Sequence, residues 1–246
     1  MKTPAFEIGF SEISRLEVRP GDILVKLDDS GVISYAIKNL SHSGYVHGGI
    51  AGGNGDMYEV GGGLDHSERM FASIYRADLN SDKGSEEFHV WRCKNSRIAA
   101  IVSHEAPIFV SAGRAFKKGD MGFGLVGMGM GWGYNLTGAL ASANKKVWSF
   151  IGAARHSSGK ELALLDRERN IVLNGGGFVT AAISGKRTFF CTEWIVWMYL
   201  MACAKAKESI DFDILPHEAN PGKLAYAMDM SRDFARVGKL SRLQNN

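Results

Sequence analysis

Apolar and polar residues alternate in two-residue steps near both ends of the chain and in wider, helical steps between them. Asp22–Leu27 follows the turn signal Arg19-Pro20-Gly21 and reads as a first strand. A short helix is predicted near Val32–Leu40. Tyr45–Ala51, the turn Gly52-Gly53-Asn54-Gly55 and Asp56–Val60 together read as a β-hairpin. Glu86–Arg92 is another strand, with Phe88, Val90 and Arg92 alternating against His89 and Trp91. Ser96–Lys118 has a helical pattern with Pro107 inside it, which predicts a kink or two helices. Tyr134–Phe150 and Glu161–Arg169 are further helices, and Asn170–Ser184, holding Gly175-Gly176-Gly177, reads as strand or loop. The strongest helical pattern is Cys191–Lys207, with Lys205 and Lys207 placed to meet the negative end of its dipole. A short helix after Pro221-Gly222 and a strand near Asp233–Leu240 close the chain. Strands toward both ends with helices between them predict the α+β class.

Composition narrows the function classes. The chain has 246 residues, 45% hydrophobic and 22% charged, enough to bury a core and too apolar for a disordered chain. The expected organisation is a single domain over 1–246. Net charge is +3 without a dense basic cluster, so no nucleic-acid partner is expected. Three cysteines, Cys93, Cys191 and Cys203, argue against a disulfide framework and fit a reducing compartment. The opening MKTPAFEIGFSEISRLEV has no apolar h-region, so no secretory signal is expected and synthesis is placed in the cytoplasm. Met121–Asn144 carries no charge over 24 residues, but seven of them are glycine. It reads as a Gly-rich loop entering a buried helix rather than as a membrane span.

Three residues then stand out: His47, Glu59 and Cys191. Pairing centred on Gly53 would set His47 directly opposite Glu59, with Cβ atoms ~5 Å apart on one face. A carboxylate at that distance fixes the imidazole tautomer and stabilises its charged form. Gly48 and Gly49 leave the chain beside His47 bare, which is read as room for a substrate. Cys191 opens the helical run Thr192-Glu193-Trp194-Ile195. A thiol at a helix start meets unpaired N–H groups and the positive dipole end, which favour thiolate and can cradle an oxyanion.

Other motifs carry less. Gly122-x-Gly124-x-x-Gly127 has the letters of a dinucleotide loop but follows Lys117-Lys118-Gly119-Asp120, not a strand. Gly159-Lys160 and Gly185-Lys186 lack the Ser or Thr of a phosphate loop. His42 and His47 lie on different predicted elements, so no metal site and no cofactor are expected. His66, His89, His104, His156 and His217 are scattered and expected to be solvated. Trp194, Trp197 and Met201 form an i, i+3, i+7 stripe read as core. Cys203 points about 120° from Cys191 on the same helix and is also expected in the core.

The segments Arg19-Pro-Gly-Asp-Ile-Leu-Val, Ser43-Gly-Tyr-Val-His47-Gly-Gly-Ile and Met57-Tyr-Glu59-Val resemble the start of the permuted NlpC-type papain-like hydrolases, relatives of the lecithin:retinol acyltransferase branch. Gly133-Tyr134-Asn135-Leu-Thr-Gly-Ala-Leu, Phe190-Cys191-Thr192-Glu193 and Pro221-Gly222-Lys-Leu-Ala resemble later segments of that family, in the same order. The resemblance covers about half the chain and implies a circularly permuted papain-like fold, an antiparallel sheet packed on helices. It implies Cys191 as nucleophile, His47 as general base and then acid, and Glu59 at the polar position that orients the histidine. Tyr134 matches an aromatic near the oxyanion site of unpermuted relatives, and Thr192 and Tyr45 are the further oxyanion or substrate candidates. The long span from Glu59 to Cys191 implies an inserted helical subregion, about residues 96–184.

Glu59 stands where the acyltransferase branch tends to carry a second histidine, which favours amide hydrolysis over lipid acyl transfer. The expected substrate is an amide bond, foremost cell-wall peptide, as for a peptidoglycan amidase or endopeptidase. Without a secretory signal, the expected route is that of an antibacterial effector carried by a dedicated machine such as a type VI system. An immunity protein or secretion carrier would then be a partner. Two alternatives remain: a thiol acyltransferase, thioesterase or lipase that contacts membrane through Met121–Asn144, and a non-catalytic binding module.

Overall fold

The computed structural model describes residues 10–27, 43–53, 55–61, 73–79, 87–119, 158–185, 187 and 189–241. They form an α+β architecture. Six strands, β1 (Ile23–Leu27), β2 (Tyr45–Ala51), β3 (Asp56–Gly61), β4 (Ser73–Asp78), β5 (Glu87–Cys93) and β6 (Phe234–Ser241), make one sheet of order β4-β3-β2-β1-β5-β6. Every neighbouring pair is antiparallel. The helices are α1 (Ser96–Gly119), α2 (Ser158–Leu173), α3 (Phe178–Gly185), α4 (Cys191–Ala206) and α5 (Pro221–Met230).

Both faces of the sheet are covered, which is why its strands are apolar on both sides. Ile23, Val25, Ile50, Tyr58, Val60 and Trp91 face a core built with α1 and α4. Leu24, Ala51, Met57, Phe88, Val90 and Leu240 face the other way, against Ile13 and Val18 of the N-terminal segment. Helix α4 lies in the middle: every side chain from Cys191 to Tyr199 is buried. A helix apolar on all sides must be enclosed on all sides. Trp194, Trp197 and Met201 are core, as the stripe predicts. Tyr199 donates its hydroxyl proton to the Gly21 carbonyl at 2.5 Å, tying α4 to the start of β1.

Of the two alternatives at Pro107, two helices are not formed: Ser96–Gly119 is one helix with Pro107 inside it. Two expectations change. Asn170–Ser184 is neither strand nor loop: α2 runs on to Leu173 and α3 begins at Phe178. Gly175, at φ +88°, ends α2, with the Gly175 and Gly176 amides bonded back to the Val172 and Ile171 carbonyls. Phe178, Ala181 and Ala182 are the buried face of α3, a spacing of three and four that outweighs the strand preference of its Val, Thr and Ile residues. Strand β4 has no counterpart among the predicted elements.

The helices predicted near Val32–Leu40 and at Tyr134–Phe150, the Met121–Asn144 segment and the Gly122–Gly127 motif lie outside the described residues. Among the described residues, no helix is long and apolar enough to cross a membrane.

Candidate active site

The β2–β3 hairpin has the predicted strands but a different register. Gly49 pairs with Glu59, Ile50 with Tyr58 and Ala51 with Met57. The turn closes through the Gly52 amide on the Asp56 carbonyl at 2.8 Å, so the hairpin centres on position 54 rather than on Gly53. His47 and Glu59 are therefore diagonal neighbours, not direct opposites. A shift of two keeps both on one face, and a diagonal pair is within reach of long side chains. His47 Nε2 donates to Glu59 Oε2 at 2.7 Å.

A bulge sits beside this pair. His47 pairs with Lys26 but Tyr45 pairs with Leu27, leaving Val46 as the extra residue of β2. Tyr45 is thereby turned into the helix-side core, while His47 meets Glu59.

Helix α4 brings Cys191 to this strand. A Cβ placed on Gly48 would lie 3.2 Å from Thr192 Cγ2 and 3.1 Å from Ile195 Cδ1. The first turn of α4 thus rests on the bare backbone next to His47. The missing side chain of Gly49 is filled from the other side, by Met57. The two glycines expected to leave room for a substrate instead let a helix and a methionine approach. With Thr192 against Gly48, the neighbours Cys191 and His47 come together, close enough for the thiol to help raise the imidazole pKa. Since Nε2 faces Glu59, Nδ1 is the nitrogen left for sulfur.

Burial alone would lower the His47 pKa. The charges of Cys191 and Glu59 and hydrogen bonds to both outweigh it and hold the imidazole well above 6.5. Cys191 is 1% exposed and the Glu59 side chain 9%, against 20% for the His47 side chain. The open edge of the site is therefore at the imidazole. Phe190, the residue before the helix, is extended, and its carbonyl accepts the first intrahelical bond from the Trp194 amide at 3.1 Å. Glu193 reaches back to accept from the Phe190 amide at 3.4 Å. The first-turn amides, free of intrahelical partners, remain beside the sulfur.

The remaining candidates divide. Thr192 is fully buried and its hydroxyl donates to the Ala219 carbonyl, so it anchors α4 to the Pro216–Glu218 turn. The Tyr45 hydroxyl bonds His89 Nδ1 at 2.6 Å. Tyr134 lies outside the described residues. His104 is exposed as expected, but His89 and His217 are not solvated: they are 2% and 5% exposed. His89 stacks on Phe10 with ring centroids 3.9 Å apart, and burial pushes its pKa down to about 4. His66 and His156 lie outside the described residues. Burial pushes the Cys93 and Cys203 thiols up to about 11. Among the described residues, no cluster of His, Cys, Asp and Glu is arranged to hold a metal ion.

One feature escaped the sequence reading, a buried charge cluster behind Cys191. Arg187 forks onto Glu168 through Nε at 2.8 Å and Nη2 at 2.9 Å, and reaches Glu161 through Nη1 at 2.7 Å. Trp197 Nε1 also donates to Glu168 at 2.9 Å. The signal was present: Glu161, Leu165, Glu168 and Val172 share one helical stripe, and all four are buried.

No family model matches the chain, and neither a curated protein nor a solved structure matches it.

Proposed function

We propose that the chain is a cysteine hydrolase of the permuted papain-like type, with Cys191 as nucleophile, His47 as proton carrier and Glu59 as its orienting partner. The observation that carries this reading is the imidazole held between a carboxylate and a thiol, with the thiol on the first residue of a buried helix.

The chemistry follows from that arrangement. The Cys191 thiolate attacks the carbonyl carbon of an amide, and the carbonyl π electrons move onto oxygen. The first-turn amides of α4 face the negative charge that develops there. Protonated His47 gives its proton to the leaving nitrogen, the C–N bond breaks and the amine departs, leaving a thioester on Cys191. Neutral His47 then takes a proton from water. The resulting hydroxide attacks the thioester, and the acid leaves as the thiolate and imidazolium return. Glu59 keeps Nε2 occupied throughout, so Nδ1 stays aimed at the reacting atoms.

The substrate reading is cell-wall peptide: the Glu59 position favours an amide bond over lipid acyl transfer, and cell-wall peptide is the substrate that the family resemblance implies. Delivery as an antibacterial effector, with an immunity protein as partner, is the corresponding biological reading. The test is a digest of purified peptidoglycan by the wild-type chain and by Cys191→Ala, read by mass spectrometry. New fragments from wild type alone support the reading and identify the bond. No fragments from either chain contradict the cell-wall substrate.

A further inference from the structure

Helix α4 starts next to a buried group of four ionisable residues drawn from three pieces of chain. Glu161 and Glu168 come from α2, Arg187 from the α3–α4 link and Glu193 from α4 itself. All four are at most 4% exposed. Packing alone does not call for such a group, because well-packed apolar residues in the same space are often as stable or more so. Its location points to a use. One Glu193 oxygen lies 3.9 Å from Arg187 Nη1, and the other accepts from the amide of Phe190, the residue just before the thiol. A continuous run of contacts thus leads from α2 through Arg187 and Glu193 to the peptide that enters Cys191.

Resting on the hydrolase reading above, we infer that Glu193 is a positioning residue for Cys191: anchored by Arg187 to α2, it holds the Phe190–Cys191 backbone so that the thiol faces His47. Glu193 touches neither sulfur nor substrate; its action passes through the Phe190 amide and the first turn. What it supplies is an acceptor rather than a charge. Burial raises the Glu193 pKa to about 8 against the pull of Arg187, which favours the neutral acid. A neutral glutamine in its place retains an oxygen for the Phe190 amide, whereas alanine does not.

The test is alkylation of Cys191 by iodoacetamide at pH 7, followed peptide by peptide, with Cys203 as internal control. In the folded wild type Cys191 reacts ahead of Cys203. Glu193→Ala slows Cys191 by about tenfold, the scale of one net hydrogen bond, and leaves Cys203 unchanged. Glu193→Gln stays within about threefold of wild type. Arg187→Lys, which keeps the charge and loses the fork, gives an intermediate rate and decides the matter if Glu193→Ala does not fold. Cys191 rates equal to wild type in folded Glu193→Ala or in Arg187→Lys, whatever the loss in Tm, would overturn the inference alone. A wild-type Cys191 no faster than Cys203 would overturn the hydrolase reading and the inference together.

Discussion

His47 and Glu59 meet diagonally across the β2–β3 hairpin, Nε2 to Oε2 at 2.7 Å, while Gly49 occupies the position opposite Glu59. The carboxylate contributes to keeping the imidazole charged, so its removal must show in the titration of His47. In wild type the His47 ring titrates well above pH 6.5, and in Glu59→Gln the midpoint falls. Histidine NMR titration reads both. The stability sign follows: a histidine pKa raised on folding stabilises most below pH 6.5, and that contribution is lost as pH rises through the folded value. Wild type therefore exceeds Glu59→Gln in stability by more at pH 6 than at pH 9.

Gly48 is where α4 and β2 come closest. A side chain at 48 enters space already held by Thr192 and Ile195. Gly48→Val destabilises the fold by about 1–3 kcal/mol, the usual result of overpacking. It also displaces the first turn of α4 and slows Cys191 alkylation. Urea unfolding and the labelling rate, measured on the same sample, check the two effects.

Removal of Arg187 leaves Glu161 and Glu168 buried without their guanidinium. Arg187→Met destabilises by about 3–5 kcal/mol, the range for breaking a buried ion pair from one side. Adding Glu161→Gln and Glu168→Gln to that variant recovers part of the loss. Thermal or urea unfolding of the single and triple variants tests this.

His89 sets an acid limit. It is neutral in the fold with a pKa of about 4, whereas an unfolded histidine titrates near 6.5. The unfolded chain therefore binds the extra proton first, and stability falls as pH drops from about 6.5 toward 4, by a few kcal/mol in all. In His89→Gln that part of the pH dependence disappears. Urea midpoints at pH 7 and pH 4.5 for both chains measure it.

The strands Tyr45–Ala51 and Asp56–Gly61 and the helix after Cys191 lie close to where the sequence places them, because the Gly-rich turn bounds the two strands and the apolar run after Cys191 is long enough for a helix. The hairpin register was not legible. The Gly52-Gly53-Asn54-Gly55 turn is three-quarters glycine and its sequence does not choose between centres one residue apart, whereas the Gly52–Asp56 bond does. The two glycines after His47 looked like open space, since their occupants, Thr192 and Met57, arrive from elsewhere in the chain and from the partner strand. His89 was read as solvated because a histidine between apolar residues marks an outward position on a one-sided sheet, and this sheet is covered on both sides. The Arg187 cluster is spread over more than 30 positions, from 161 to 193, and only the packing of α2 on α4 brings its members together.

The central claim is that Cys191 attacks carbonyl carbon with His47 as its proton carrier. The most direct measurement is the mass of the protein after brief exposure to p-nitrophenyl acetate near pH 6.5, with the label located by peptide mapping. The account predicts one acetyl group, on Cys191, in wild type, and none in Cys191→Ala or His47→Ala. Equal labelling of wild type and His47→Ala, or a label spread over lysines with Cys191 untouched, would contradict it.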